Sequence, residues 1–430
     1  MKRFARIVAG CLASLALAAP AWAQSPAPAG VGVIDVSSSN APVTGMQLFV
    51  PAGLDRQPRD RSGLAAVVAQ ALVRTPVHGV PLADAIAQAG GSVTYAVDGQ
   101  ETHFYLEATP SHFAEVASLF ASALAQPAFD RASISSAAAH AADRAAQNNG
   151  DGLTVGVAMF RSVYLARTNA RLSTWGNAAT LAQITPLDAA DFFRANYVAR
   201  GAIIVGVGNP SPGLREGEQA ITRELPDRRP SPVVVSRQLP VKARSRELIT
   251  HRDVPAPWVV LGYDAPSPGA PDFAAALVLE SLIGQAVGRG LAPPLVATPS
   301  EGERPVGSIY LFDTVPSAVV IYANGAGGDP TLAVRTVATV VQTLTASPLS
   351  EADLSLAKAQ ATGDFLMQQA ALSDRSWLAG NFAREGAGDD YSSKVLTAIA
   401  AVSPVRLRAA AKRYFSHYVT SIVLPREGRS

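Results

Sequence analysis

Six histidines, at positions 78, 103, 112, 140, 251 and 417, are the first residues to test for chemistry in this sequence. A helical metal clamp needs two imidazoles three or four residues apart, so that both leave one face of the helix. No two of the six have that spacing. Glutamate, the usual base on a metal-bound water, is missing from the whole stretch between Glu115 and Glu216. Ser355-Leu356-Ala357-Lys358 has the S-x-x-K spacing of an acylating serine, but it lies mid-helix without a companion K-T-G triplet and reads as a solvent-facing helix. There is no G-x-S-x-G elbow and no phosphate-binding glycine loop; Gly325-Ala326-Gly327-Gly328 runs into Asp329-Pro330 and reads as a turn. The histidines singly take structural readings. His78 sits in a loop before Gly79, and His103 lies on a strand, half-buried or paired across strands. His112 opens a helix, where a positive ring would oppose the dipole.

The elements that must position any site follow from periodicity and punctuation. Met46 to Val50 alternates as a strand and ends at Pro51-Ala52-Gly53. An apolar helix runs from Gly63 to about Val73, and a short one from Pro81 to Ala89 is closed by Gly90-Gly91. Ser92–Ala96 and Thr102–Glu107 form a hairpin around Asp98-Gly99. Helices follow at Phe113–Gln126 and Ser133–Gln147. Thr185 caps a helix with Pro186 at its first position, ahead of a strand from Ala202 to Val207. The order then recurs: a strand at Trp258–Tyr263, a helix at Phe273–Ile283, a strand at Val319–Ala323, helices at Thr331–Leu344 and Ser350–Gln369. Ser403-Pro404 repeats the cap and proline before a last strand, Thr420–Leu424. Thr185-Pro186 and Ser403-Pro404, like Asn196-Tyr197 and Tyr414-Phe415, share an offset of 218 residues. A duplicated α+β unit is the reading: two homologous halves, each an antiparallel-rich sheet covered by helices on one face, arranged as a clamshell.

Length and composition agree with two domains. The chain has 430 residues, 48% hydrophobic and 16% charged, which excludes wholesale disorder. Residues 1–23 read as a secretory signal, with Lys2, Arg3 and Arg6 before an apolar run and Ala21-Trp22-Ala23 at the cleavage site. Its removal takes the formal charge from +2 to −1, which leaves no footprint for nucleic acid. Cys11, the single cysteine, lies in this leader, so a mature chain has no disulfide. Val8-Ala9-Gly10-Cys11 looks like a lipidation box behind a very short apolar run, and ordinary cleavage is the expectation. No later stretch is long and apolar enough for a membrane helix. A bacterial periplasm is therefore the expected location. The remaining organisation is an N-terminal domain at 24–209, a linker at 210–245 carrying six prolines and dense charge, with room for one short helix from Leu214 to Glu224, and a C-terminal domain at 246–430.

Gly63-Leu64-Ala65, the apolar helix behind it, Gly90-Gly91, Thr102 on a strand, and Asn196-Tyr197 before the strand ending Gly206-Val207-Gly208 resemble the insulinase/pitrilysin-type zinc metallopeptidases, nearest the processing-peptidase branch. The resemblance spans about residues 31–425. It implies an inverted zinc signature, H-x-x-E-H, on the first helix. Here Ala66 stands at the first histidine, Ala69 at the glutamate and Gln70 at the second histidine. The family's third ligand, a downstream glutamate, has no counterpart. In two-subunit members, the zinc-free chain supplies an arginine and a tyrosine from the string R-x-x-x-G-x-x-Y. Gly307-Ser308-Ile309-Tyr310 fits its second part, while Glu303 holds the arginine position and Arg304 follows one residue late.

The resemblance thus implies a non-catalytic subunit without cofactor or metal, Tyr310 and Arg304 being its candidate substrate-gripping residues. Its partner would be a zinc-bearing homologue or a second copy, and its ligand an extended peptide. The alternatives are a stand-alone periplasmic peptide-binding or scaffold protein and, last, an active zinc peptidase. With Ala66, Ala69 and Gln70 in the ligand positions, elemental analysis of the purified chain should find no stoichiometric zinc. One tightly held zinc per chain would sink the assignment.

Overall fold

The computed structural model describes residues 30–37, 40–234, 246–290, 306–312, 316–324, 330–346, 349–388 and 390–426. The leader with Cys11, residues 235–245 of the proline-rich stretch, Arg304 and the Gly325–Gly328 turn lie outside them.

The first half runs β1 (Gly32–Ser37), β2 (Thr44–Val50), α1 (Leu64–Val73), β3 (Pro76–Val77), β4 (Val80–Pro81), α2 (Leu82–Gln88), β5 (Gly91–Val97), β6 (Thr102–Ala108), α3 (Phe113–Ala125), α4 (Arg131–Gly150), α5 (Gly152–Tyr164), α6 (Ala178–Leu181), α7 (Pro186–Asn196), β7 (Ile203–Gly208) and α8 (Pro212–Glu224). The second runs β8 (Arg246–Arg252), β9 (Trp258–Asp264), α9 (Phe273–Gly290), β10 (Val306–Leu311), β11 (Ala318–Asn324), α10 (Pro330–Ala346), α11 (Glu351–Met367), α12 (Leu372–Arg384), α13 (Tyr391–Ala400), α14 (Pro404–Tyr414) and β12 (Tyr418–Pro425).

The two main sheets have the same wiring. One is ordered β1-β7-β2-β6-β5; the other, read from its opposite edge, is β8-β12-β9-β11-β10. Each has a single parallel pair, β1 with β7 and β8 with β12, and is otherwise antiparallel. The proposed duplication is therefore present strand by strand. The repeated caps are real as well. Thr185 and Asp188 form a reciprocal capping box at α7, and Ser403 accepts from the Arg406 amide at α14. Helices α1, α3 and α7 build the core on one face of the first sheet, around Phe104, Phe120 and Tyr197. Helices α9, α11 and α14 do the same for the second, around Phe273, Phe365 and Phe415.

The opposite face of each sheet is covered by a helix from the other half. α5 lies on β9 and β12, and α12 lies on β2 and β7. Phe160 of α5 packs with Val260, Val320 and Val419; Ala379 of α12 packs with Phe49, Val205 and Val207. This exchange explains why β2 is buried at every position although it alternates in polarity. Approach is close enough to need glycine. A Cβ on Gly262 would meet the Phe160 ring at 2.1 Å, and one on Gly380 would meet the Phe49 ring at 2.3 Å.

Part of the stretch read as a linker is packed structure. Leu214, Ile221 and Leu225 of the α8 region join the first core, against α3. Beyond it the chain is pinned. Ser231 N–H donates to the Ala195 carbonyl at 3.2 Å, and Val234 N–H to the Asp55 carbonyl at 2.7 Å. The first folded unit thus reaches Val234.

Replacing Gly380 by Ala drives a methyl into Phe49 at the centre of the exchanged contact. Thermal or urea unfolding should show a loss of about 1–3 kcal/mol, whereas Ala at exposed Gly363, with open space around it, should stabilise slightly or not at all.

Candidate functional site

Helix α1 is where the resemblance puts the metal. Gly63 opens it at φ 98°, a left-handed turn that an alanine would strain. Nine of its ten residues are buried. Ala66 and Ala69 are completely so, as methyl groups inside the first core. Gln70 is half-buried, and its side-chain oxygen accepts a hydrogen bond from the Tyr95 hydroxyl of β5 at 2.8 Å. Burial pushes the Tyr95 phenol up to about 12, so it remains a donor across the working pH range. Two core methyls and one committed amide hold no cation and activate no water. Among the described residues, no group of three or more His, Cys, Asp or Glu can hold a metal ion.

Tyr310 has its hydroxyl buried in the second half. It lies on β10 with 5% of its surface exposed, stacked on Phe312 at 4.7 Å and edge-on to Phe273 at 5.4 Å. Its hydroxyl donates to the Pro266 carbonyl at 2.5 Å, and burial raises its pKa well above the ordinary value. The expected oxyanion donor is a core tyrosine tied to a backbone carbonyl. The aromatic-rich second core competes for the ring and wins. Arg304 is not among the described residues.

The second half holds a pair of carboxylates near β10. Glu280 of α9 is pushed up to about 7 by desolvation, offset in part by a hydrogen bond with Ser308 and reinforced by Asp364. Asp364 of α11 accepts from Ser281 at 2.8 Å and from Gln360 at 3.0 Å.

A polar cluster of described residues sits where α12 crosses onto the first sheet. Asp98 and Glu101 belong to the β5–β6 turn. Arg384, at the end of α12, pairs with Glu101 across the boundary between halves. His103, on β6, directly faces Phe49 in the β2–β6 register, and the rings stack at 5.4 Å. Its Nε2 lies 3.2 Å from the Asp98 carboxylate, and its Nδ1 2.6 Å from the Gln47 side-chain nitrogen. Gln47 in turn accepts from Ser376 of α12 at 2.5 Å, and Ser376 also reaches the Ser373 carbonyl at 2.9 Å. Gln47 and Ser376 are buried. Burial works against a charged His103, but Asp98 and Glu101 outweigh it and its pKa is raised. Burial likewise opposes a charged Asp98, yet His103, Arg161 and Arg384 hold its carboxyl below the usual range. Desolvation pushes Asp55, next to this cluster, up to about 6. Chemically this is a hydrogen-bond relay without a nucleophile in reach of open solvent.

The sequence placed His103 on its strand and paired it across strands, as observed. It gave no sign of Arg384, Glu101, Gln47 or Ser376. Their partners lie up to 329 residues away, and no local spacing encodes such a contact.

Residues 183–361, from before α7 into α11, match a family described as "Peptidase M16 inactive domain". Among solved structures, a protease from Helicobacter pylori is similar at 16% identity and a TM-score of 0.79, covering 94% of this chain and 99% of its own. A peptidase M16 inactive domain from Pseudomonas fluorescens gives 16% identity and 0.75, covering 95% and 98%. Complex III2 from Candida albicans gives 14% and 0.73, covering 93% and 95%. No curated protein matches.

The Tyr310→Phe variant should lose stability, because the Pro266 carbonyl is left unpaired in the core. About 1–3 kcal/mol is the expected drop in urea unfolding. An unchanged midpoint would return the hydroxyl to the list of groups free for other work.

Proposed function

We propose that this chain is an inactive member of the insulinase-like M16 family and acts as the zinc-free subunit beside a zinc-bearing homologue in the bacterial envelope. The two chains would enclose a peptide chamber in which the homologue performs hydrolysis. The observation that carries this reading is the state of α1: Ala66 and Ala69 are buried methyls, and Gln70 is closed off by Tyr95. The fold is kept across both halves while the site that would make it a hydrolase is filled with core.

What the chain offers a peptide is backbone. β5 and β10 are the outer strands of their sheets. Along β5, Ser92, Thr94 and Ala96 are exposed in alternation. An extended peptide can add to such an edge, main chain to main chain, with side chains read alternately. No helix among the described residues is long and apolar enough to cross a membrane. Periplasmic location rests on the leader at residues 1–23.

Mixing this chain with its zinc-bearing homologue should raise peptide hydrolysis at least tenfold over the homologue alone, the gain saturating at equimolar ratio. A homologue that is fully active alone and unchanged on mixing would favour the stand-alone peptide-binding or scaffold reading.

A further inference from the structure

Beside β5, on the helical face of the first sheet, stands a cation without a counter-charge. Helix α4 packs on α1 and brings its side chains to the rim of this face. The Tyr95 hydroxyl of β5 donates to Gln70 of α1 at 2.8 Å, and the Arg144 guanidinium of α4 lies next to that phenol. Arg144 is stacked over the ring of Trp175, in the loop ahead of α6, with its central carbon 5.4 Å from the ring centre. His140, one turn earlier on α4, stands edge-on to the same indole, the ring centres 6.1 Å apart. Gln70, Tyr95 and Trp175 are half-buried; His140 and Arg144 are exposed.

The groups around Arg144 leave its charge unanswered. It donates to the Gln147 side-chain oxygen at 3.1 Å, a neutral acceptor. Among the described residues it enters no ion pair. Asp143 is the only acidic residue of α4, and a sequence neighbour leaves a helix on a different face. Tyr95 supplies no negative charge either, since burial pushes its phenol up to about 12. The indole meanwhile holds the guanidinium in one plane. A guanidinium fixed in this way offers its remaining N–H groups to a planar acceptor, and a carboxylate takes two of them in parallel.

The pleat says where a peptide would bring that carboxylate. Side chains alternate along a strand, and directly opposed residues of two paired strands share a face. On β5, Ser92, Thr94 and Ala96 are exposed on one face, while Tyr95 turns to α1 on the other. In a peptide added to β5, the residue opposite Tyr95 therefore points to the helical layer and to Arg144. The residues opposite Ser92, Thr94 and Ala96 meet no charge on β5.

We propose that Arg144, stacked on Trp175, is a specificity-determining residue that selects an acidic side chain in the bound peptide at the place opposite Tyr95. The proposal rests on the reading of β5 as the strand to which the peptide adds.

Fluorescence anisotropy with dye-labelled heptapeptides tests both. The first is Ser-Val-Thr-Glu-Thr-Val-Ser, amidated at its C-terminus. The second has glutamine in place of glutamate, and the third is the glutamine peptide with a free C-terminal carboxylate. The unaltered chain should hold the glutamate peptide about tenfold more tightly than the amidated glutamine peptide, as one charge-assisted contact gives. In Arg144→Gln that preference should vanish, with the affinity for the glutamine peptide unchanged. In Arg131→Gln, which removes a charge from the far end of α4, the preference should persist. Equal affinity for the first two peptides, a preference that survives Arg144→Gln, or one that is lost equally in Arg131→Gln would overturn the proposal. So would a free C-terminus that gives the same gain as glutamate. A glutamine peptide methylated on alternate backbone nitrogens tests the strand separately. It should not bind, and undiminished binding would remove the β5 reading and the proposal with it.

Discussion

Two helices, α5 and α12, each bury one face on the sheet of the opposite half. This exchange governs the rest of the molecule. It forces β2 and β9 to be buried on both faces, and it selects glycine at Gly262 and Gly380, where ring and backbone meet. It also brings polar groups to the seam. Tyr164 at the end of α5 donates to the Ser317 carbonyl of the second half at 2.8 Å, and Arg384 at the end of α12 pairs with Glu101 of the first. Each crossing helix thus ends in a polar anchor on the far hairpin. A buried charge such as Glu101 is tolerated only because a guanidinium from the other half meets it.

Much of the fold was legible in the sequence where local signals suffice. Asp98-Gly99 announces a hairpin turn, and Thr185-Pro186 and Ser403-Pro404 announce helix starts; with Asn196-Tyr197 and Tyr414-Phe415 the latter gave the repeat and its offset. The two exchanged helices were not legible. α5 carries Gly152 and Gly156, and α12 carries Ser373, Ser376, Gly380 and Asn381. Small and polar residues inside a helix read as breakers until a sheet is known to lie against them. The edge strands β1 and β8 are also quiet in sequence, since each pairs on one side only and leaves residues such as Val33 and Ile249 exposed. Composition placed a short helix in the linker, where α8 lies, but gave no sign that Leu214, Ile221 and Leu225 join the first core.

The candidate site divides in the same way. The loss at Ala66, Ala69 and Gln70 is readable from residue type alone, because no alanine ligates a metal. The fate of Tyr310 is not, because its strand and its spacing are right and only the Pro266 carbonyl decides what its hydroxyl does. The fold keeps both halves and the exchanged helices, while the α1 positions that the resemblance sets against a metal hold buried methyls and an amide bonded to Tyr95.

The most direct measurement is the composition of the assembly. Native mass spectrometry of this chain purified together with its zinc-bearing homologue should show one copy of each and a single zinc per pair. Finding only separate chains, or homologue dimers that leave this protein unbound, would contradict the account.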